Sequence, residues 1–419
     1  MPPSVKFLLL LAGFFCSVQA HSQNGTTPLP DESNTSATGV ASATDYYENL
    51  EYYRTHPIDL NTAERAQLDE LHLLSPLQIE ALIRHRTQYG YFIEVYELQS
   101  IPGFSTDVIR ALLPYIQVST NELSAASVKR MMQGASHTLA VFYEQPLQLA
   151  EGFKHGSDSI RTNDYLGGNF KTTLRYRYSK GSKLSMGFNA DNDIGEPFFN
   201  SRQRRGFDFY SAHLFVRDMG IIKQCALGDY HLNLGQGLAV GTGFVLNKSI
   251  EVLQIRRYAS GLRPYRSINE FGFFRGGAVC LGGSKYSATV YVSSKKTDGN
   301  IIPQDTTLFD AQRYYSLITS GYHRTEKELA LKNTSIQKTA GVYLQTDRNA
   351  LHAGAGWLVQ QLNVTQHILH SDISYSARNF SFFSEFAGSG GGGRAMLAGV
   401  MASLHASCDM ALLYRNYNA

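Results

Sequence analysis

The stretch TLRYRYSKGSKLSMGF, residues 173–188, alternates polar and apolar side chains on both sides of a short turn that contains glycine. A period of two places side chains of one kind on one face of a β-strand, so two such runs around a turn predict an antiparallel hairpin. The same alternation returns in SATVYV (287–292), GVYLQ (341–345) and SFFSEF (381–386). We therefore expect residues 136–419 to form a large antiparallel β-domain.

The composition favours a membrane barrel over a soluble β-sandwich. The chain has 37 Gly, 25 Tyr and 23 Phe against one Trp, and 17% of its residues are charged. Transmembrane strands of about nine to eleven residues have one apolar and one polar face, and roughly a dozen such strands are predicted here. In a sandwich the second face would form a dry core, whereas here it carries Arg, Lys, Asp and Asn.

The N-terminal segment predicts export from the cytoplasm. The first 20 residues have the layout of a secretory signal peptide, with an apolar run and a small-residue cleavage site ending at Ala20. Residues 21–44 are polar and lack a periodic apolar face, which predicts a flexible leader. We expect a helical domain over residues 45–120 in the periplasm, a linker over residues 121–135, and the barrel in the outer membrane of the cell envelope.

The segment 45–120 carries three helix-start signals. Ser75-Pro76-Leu77-Gln78 predicts a capping box with proline in the first helical turn. Asn61 and Glu64 have the same three-residue spacing and predict a second capping box, and Ser105 predicts the cap of a last helix. The fold class is therefore predicted as α+β, with a small all-α domain before a large antiparallel β-barrel.

The stretches IDLNTAERAQLDEL (58–71), LSPLQIEALIRHRTQYGYF (74–92) and YELQSIPGFSTDVIRALLPYI (96–116) resemble the tandem helix-hairpin-helix domain of competence-type DNA-binding proteins. In that family, backbone N–H groups of a glycine turn and the following helix N-terminus hold a DNA phosphate. The first hairpin here lacks the glycine turn, whereas the second keeps it. The resemblance implies a phosphate or DNA site formed by Ile101, Gly103, Ser105, Thr106 and Arg110.

The charge of the helical segment opposes DNA binding. Residues 57–118 hold four Arg against eight Asp and Glu, a net charge of −4, and counterion release by cationic side chains supplies most non-specific affinity for DNA. Residues 121–419 hold 32 Lys and Arg against 22 Asp and Glu, a net charge of +10. Two interpretations stay open, a nucleic-acid-binding module and a structural or protein-docking module, and the charge favours the second.

Five arginines lie where the strand pattern is interrupted. An arginine that faces lipid at mid-depth costs roughly 2–4 kcal/mol, so these side chains are expected to face a lumen or water. They predict either a constriction that selects anionic solutes or a polymer backbone, with Glu251 and Glu270 as counter-charges, or an internal ion-pair network that stiffens the barrel. The five are Arg256, Arg257, Arg263, Arg266 and Arg275.

The order of helix-hairpin-helix, GDYHLNLGQGL (228–238) and GLRPYRSINEFGFFRG (261–276) resembles exported helix-hairpin-helix proteins of Bacteroidetes-type bacteria. The resemblance covers most of the chain after residue 45, and it implies an architecture and a location. The chain ends in LYRNYNA (413–419) without the terminal aromatic residue of an assembly signal, which predicts a truncated and incomplete barrel.

No motif for catalysis, metal binding or a cofactor emerges from the sequence. His367 and His370 are three residues apart, which sends them to opposite faces of a strand, and the glycine tract at 388–394 lacks the Lys-Ser/Thr ending of a phosphate loop. We expect a non-enzymatic protein with a structural, docking or transport role, whose partners are the lipid bilayer and, as candidates, DNA and other envelope proteins. A DNA-uptake factor is the first alternative and an outer-membrane enzyme the second.

Overall fold

The structure is a computed structural model in which a small helical module precedes one large antiparallel sheet, as the predicted fold class requires. The predicted signal peptide, leader and linker lie outside the described residues. None of the described helices combines the length and apolar character needed to cross a membrane. The described residues are 46, 50–118, 136–154, 164–180, 183–242, 255–257, 260–283, 285–302, 314–348, 350–362, 364–377, 379–405 and 408–418.

The helical module packs short helices around an apolar core of its own. Its described helices are a turn at residues 50–55, α1 (Arg65–Asp69), α2 (Pro76–Tyr89), a 3-10 helix (Val95–Ser100), α3 (Thr106–Leu112) and a 3-10 turn (Leu113–Tyr115). Two short parallel strands, β1 (Ile58–Asp59) and β2 (Ile116–Gln117), join its ends. Each buried large side chain stabilises the module by roughly 1.5–3 kcal/mol. The fully buried side chains include Leu60, Leu68, Leu71, Ile79, Leu82, Phe92 and Leu98.

Two of the predicted helix caps are confirmed. The Ser75 side chain accepts a hydrogen bond from the backbone N–H of Gln78, and the Gln78 side chain accepts one from the backbone N–H of Ser75. At the start of α3, the Ser105 hydroxyl accepts a hydrogen bond from the backbone N–H of Val108. These hydrogen bonds satisfy backbone N–H groups that have no partner inside the helix. They therefore fix where α2 and α3 begin.

The predicted cap at Asn61 is wrong. Its amide Nδ2 donates to the carbonyl of Phe92 at 3.0 Å, and the N–H of Phe92 donates to Asn61 Oδ1 at 2.7 Å. Helix α1 begins only at Arg65. The tertiary contact prevails over local capping because Asn61 is buried, and both polar ends of a buried amide need partners.

The sheet has fourteen strands. Strands that follow one another in the chain pair antiparallel, except where a long connection contains additional short strands. Strand β7 pairs with both β8 and β9, β10 pairs with β13, and β11 and β12 form a separate hairpin. Among the described residues the sheet does not close, since β3 and β18 each have one neighbour. The strands are β3 (Ser136–Glu144), β4 (Lys171–Lys180), β5 (Leu184–Asn192), β6 (Phe209–Met219), β7 (Ile222–Asn233), β8 (Gly261–Pro264), β9 (Phe274–Gly282), β10 (Tyr286–Thr297), β11 (Gly299–Ile302), β12 (Tyr314–Leu317), β13 (Ser335–Arg348), β14 (Leu351–Gln361), β15 (Thr365–Ala377), β16 (Phe380–Ser389), β17 (Arg394–His405) and β18 (Cys408–Asn418).

The predicted hairpin at residues 173–188 is confirmed as β4 and β5, in a register that places Tyr176 opposite Phe188. The two faces of the sheet differ in chemistry, as β15 illustrates. Asp372 and Ser374 are buried, whereas Leu369 is 65% exposed. A buried polar face and an exposed apolar face are the reverse of a soluble sandwich.

The two ends of the sheet differ in the length of their connections. At one end six connections have two or three residues, and we call this the short-turn end; they follow Lys180, Met219, Gly282, Arg348, Ala377 and His405. At the other end, the long-connection end, four connections contain sixteen residues or more and hold β8, β11, β12 and helix α4 (Glu326–Leu331); they follow Glu144, Asn192, Asn233 and Thr297.

Candidate functional site

An acidic side chain of the helical module meets two arginines of the sheet. The Oε1 atom of Glu70 lies 3.6 Å from Nε of Arg263 and 3.9 Å from a terminal nitrogen of Arg217. The hydroxyl of Tyr53 donates to the other carboxylate oxygen. Because Glu70 is only 6% exposed, its charge needs these partners to offset the loss of hydration. The cluster of Glu70, Arg217 and Arg263 therefore ties the module to β6 and β8.

A second group of contacts joins the module to the sheet through aromatic and neutral polar groups. The guanidinium of Arg266 lies 3.7 Å from the ring centroid of Tyr52. Nε2 of His56 lies 2.8 Å from Oγ of Ser179 on β4. Burial lowers the pKa of His56, which favours the neutral ring.

A third contact comes from the other end of α1. The guanidinium of Arg65 makes two hydrogen bonds with the carboxylate of Glu80, of 2.7 and 3.0 Å, and lies 3.7 Å from Oδ1 of Asp347 on β13. The contacts of the module thus reach β4, β6, β8 and β13. Because these strands are spread across the sheet, the module packs against its buried polar face.

The end of α1 is electrostatically perturbed by this packing. Burial raises the pKa of Asp69 to about 7, against the opposing influence of Arg263. Burial lowers the pKa of His72 to about 4, and the nearby charge of Arg263 lowers it further. At neutral pH His72 is therefore uncharged.

The five predicted arginines lie on the sheet and its connections, and their partners differ. Arg256 is buried and donates to the hydroxyls of Ser374, Ser376 and Ser381 at 2.7 to 3.0 Å. Its neighbour Arg257 is exposed. Serine hydroxyls replace the water that the buried guanidinium has lost.

Other acids also serve as counter-charges of these arginines. Arg275 forms a bidentate ion pair with Asp229, at 2.7 and 2.9 Å, and Arg263 faces Glu70 of the module. The predicted counter-charge Glu251 lies outside the described residues, whereas Glu270 lies near His323 and lines the same cavity as Arg275. This distribution favours the internal ion-pair network over a single constriction.

The second hairpin of the module lies at the surface. Gly103 has a φ of +88°, which is the left-handed conformation expected of the glycine in this turn, and its carbonyl accepts a hydrogen bond from Gln78. Ile101 is buried in the core of the module. The other predicted residues of the hairpin are exposed, namely Gly103, Ser105, Thr106 and Arg110.

A separate polar cluster at the long-connection end was missed by the sequence analysis. Nδ1 of His323 lies 2.5 Å from Asp208, and Nε2 lies 3.0 Å from Asp298. Lys332 donates to Asp208 at 2.6 Å, and Glu196 accepts the backbone N–H of His323 at 2.9 Å. These residues come from two connections, after Asn192 and after Thr297, and share no motif, so no local pattern could have revealed them.

The cluster holds its histidine between two carboxylates. Burial acts to lower the pKa of His323, but the hydrogen bonds with Asp208 and Asp298 outweigh it and raise the pKa to about 10. Although the sequence predicts no metal site, two sets of donor atoms here lie within 4.8 Å of one another. These sets are Glu196 with Asp208 and His323, and Glu270 with Asp298 and His323.

Comparison with known protein families finds a motif match in the helical module. Residues 54–117 match the family model described as a helix-hairpin-helix motif, within the predicted domain of residues 45–120. No curated protein sequence matches the chain. The chain thus carries a helix-hairpin-helix motif ahead of its large antiparallel sheet.

Solved structures similar to this chain include outer-membrane porins. The anion-selective porin from Comamonas acidovorans is 13% identical with a TM-score of 0.29, over 68% of this chain and 79% of the porin. OmpT, an outer membrane protein of Vibrio cholerae, is 8% identical with a TM-score of 0.26, over 68% and 85% of the two chains. OmpF of Salmonella typhi, in complex with daunomycin, is 11% identical with a TM-score of 0.26, over 68% and 89%.

Proposed function

We propose that this chain is a non-enzymatic outer-membrane β-barrel protein whose helix-hairpin-helix module plugs the polar interior from the periplasmic side. Its role is structural or docking. The observation that carries this proposal is the pairing of Glu70 in the module with Arg217 and Arg263 in the sheet. A buried carboxylate that faces the buried Arg217 and the half-buried Arg263 favours this position of the module, because separation would remove the counter-charges of Glu70.

The membrane location is supported by the outer face of the sheet. Large exposed apolar patches are rare on soluble proteins, whereas lipid provides a medium in which such a face is stable. The opposite face is polar and buried, as the interior of an outer-membrane barrel would be. Exposed apolar side chains of β15 and β16 are Leu369, Ile373, Tyr375, Phe380, Phe382 and Phe386.

The orientation follows from the lengths of the connections. Outer-membrane barrels have short turns on the periplasmic side and longer loops outside. The module contacts Ser179, Arg217 and Asp347, each within two residues of the short-turn end of its strand. The module therefore enters from the side that we assign to the periplasm.

Charge complementarity supports a plug over a freely suspended domain. The module has a net charge of −4, whereas residues 121–419 have a net charge of +10. Opposite charges on two packed surfaces favour one docked arrangement and penalise others.

Membrane location is tested by fractionation followed by gel mobility with and without boiling. We expect the full chain in the outer-membrane fraction and a faster-migrating unboiled form, because folded barrels resist detergent at ambient temperature. A mature chain recovered in the soluble periplasmic fraction would overturn the proposed location.

Orientation is tested by labelling single cysteines with a membrane-impermeant maleimide, in a Cys408→Ser background that removes the exposed native thiol. Tyr89→Cys reports on the module, where Tyr89 is 71% exposed, and Lys327→Cys reports on α4 at the long-connection end. We expect intact cells to label position 327 alone. Position 89 should react only after the outer membrane is opened, and the reverse pattern would refute the assigned orientation.

A further inference from the structure

The polar cluster at the long-connection end contains a set of potential metal ligands. Donor atoms of Glu270, Asp298 and His323 all lie within 4.8 Å of one another. The three residues come from two long connections of the sheet, those that follow Asn233 and Thr297. Imidazole nitrogen and carboxylate oxygen atoms are the ligands by which proteins hold divalent transition metals, so the donor chemistry fits such an ion.

We propose that Glu270, Asp298 and His323 form a divalent metal site, with Zn²⁺ as the best-fitting ion. The two carboxylates balance its charge, and Nε2 of His323 supplies the nitrogen ligand. Zn²⁺ commonly takes three protein ligands and keeps a fourth position for water. Within the part of the chain that the structure describes, none of the three ligands makes a hydrogen bond or ion pair with the helical module, so the site is independent of the plug.

The surroundings of His323 orient its ring for this role. A metal-bound histidine usually donates its other ring N–H to a carboxylate, which fixes the tautomer. Here Nδ1 lies 2.5 Å from Asp208, and Lys332 holds the other oxygen of Asp208 at 2.6 Å. With Nδ1 engaged in this way, Nε2 is directed towards Asp298.

Glu270 is positioned beside the other two ligands. Its carboxylate is half-buried, and its donor oxygen lies within 4.8 Å of the donor atoms of Asp298 and His323. Two carboxylates at this distance repel each other, and a bound cation would offset that repulsion.

A cavity gives access to the proposed metal site. It has a volume of about 290 Å³ and is lined by Glu270, Asp298 and Lys332, among others. Gly321 lies beside it with a φ of +67°, where an added Cβ would lie 3.1 Å from Cγ of Glu270. The chain therefore passes close to the Glu270 side chain and holds it, while the cavity leaves room for water as the fourth ligand.

The test is titration of the full chain in detergent with ZnCl₂, and separately with CaCl₂ and MgCl₂, by isothermal calorimetry. We expect one Zn²⁺ per chain, bound more tightly than Ca²⁺ or Mg²⁺. Glu270→Gln and His323→Gln should each abolish the tight site, and Asp208→Asn should weaken it about tenfold through the ring orientation. Glu326→Gln is the matched control, since it removes an exposed acid from the same connection and should bind as the wild type does.

Three results would overturn the proposal. These are the absence of saturable Zn²⁺ binding by the wild type, undiminished affinity in both Glu270→Gln and His323→Gln, or a preference for Ca²⁺ that His323→Gln leaves unchanged. Heat-modifiable mobility of each variant separates loss of the ligand from loss of the fold. Glu270→Gln is the more decisive variant, because it keeps the shape of the side chain and leaves unchanged the backbone carbonyl that accepts from Lys295.

Discussion

Oε1 of Glu70 lies 3.6 Å from Nε of Arg263, which joins the helix-hairpin-helix module to strand β8 across 193 positions of sequence. Arg217 of β6 approaches the same oxygen at 3.9 Å. The position of the module on the sheet therefore depends on one buried carboxylate and two cations, and several consequences of this dependence can be measured.

Removal of the Glu70 charge should loosen the module. Glu70→Gln leaves the buried Arg217 and the half-buried Arg263 without this counter-charge, and breaking a buried ion pair typically costs about 3–5 kcal/mol. We expect the unfolding temperature of the full chain to fall, measured as the temperature at which the compact gel form is lost. Glu51→Gln, a change at an exposed acid of the same module, should leave it unchanged. An equal effect of both variants would contradict the role of Glu70.

Arg256 should not be replaceable by lysine. Its guanidinium reaches three serine hydroxyls at once, and the single ammonium of lysine cannot reproduce that fork. We expect Arg256→Lys to destabilise the chain by about 1–3 kcal/mol, the usual cost of unsatisfied buried polar groups. Arg257→Lys, at the exposed neighbouring position, serves as the control in denaturant titrations and should have little effect. Identical midpoints for the two variants would argue against the serine contacts.

The stability of the module should depend on pH through His72. The pKa of His72 in the folded chain is about 4, below the ordinary value of 6.5. Between pH 4 and 6.5 the unfolded chain therefore binds a proton that the folded chain does not. Stability from this group is therefore full above pH 6.5 and declines as the pH falls towards 4. His72→Asn should remove this decline, because asparagine tolerates the φ of +50° at this position.

The contribution of His72 is the difference between wild type and His72→Asn unfolding free energies at each pH. This subtraction is needed because Asp69, with a folded pKa of about 7, acts in the opposite direction. A folded chain that keeps the Asp69 proton loses relative stability as the pH rises from 3.8 to 7. A difference that does not change between pH 4 and 6.5 would disprove the shifted pKa of His72.

The full chain should not retain duplex DNA at about 150 mM salt, because an acidic module releases few counterions on binding. Electrophoretic mobility shifts over a salt series measure this directly. Salt-dependent binding that Arg110→Ala abolishes and Arg54→Ala preserves would instead favour the phosphate site at the second hairpin. Both arginines are exposed, so the two variants change the same charge at different places.

Local features of this protein could be predicted from its sequence. The hairpin at residues 173–188 was predictable because alternation of side chains along a strand depends only on neighbouring residues. The caps at Ser75 and Ser105 were predictable for the same reason, since each hydrogen bond spans three residues. Asn61 has the same local signal, but a partner 31 residues away, Phe92, takes its amide.

The sequence by itself determined the elements of this chain: the period-two strands, the capped helices and the opposite charges of its two parts. The tertiary structure alone decided which charges meet, pairing Glu70 with Arg263 and bringing His323 between Asp208 and Asp298. The physical reason is the separation along the chain over which each interaction acts. Alternation and capping act between near neighbours, whereas these contacts depend on the register of many strands and on which side of the sheet each connection lies.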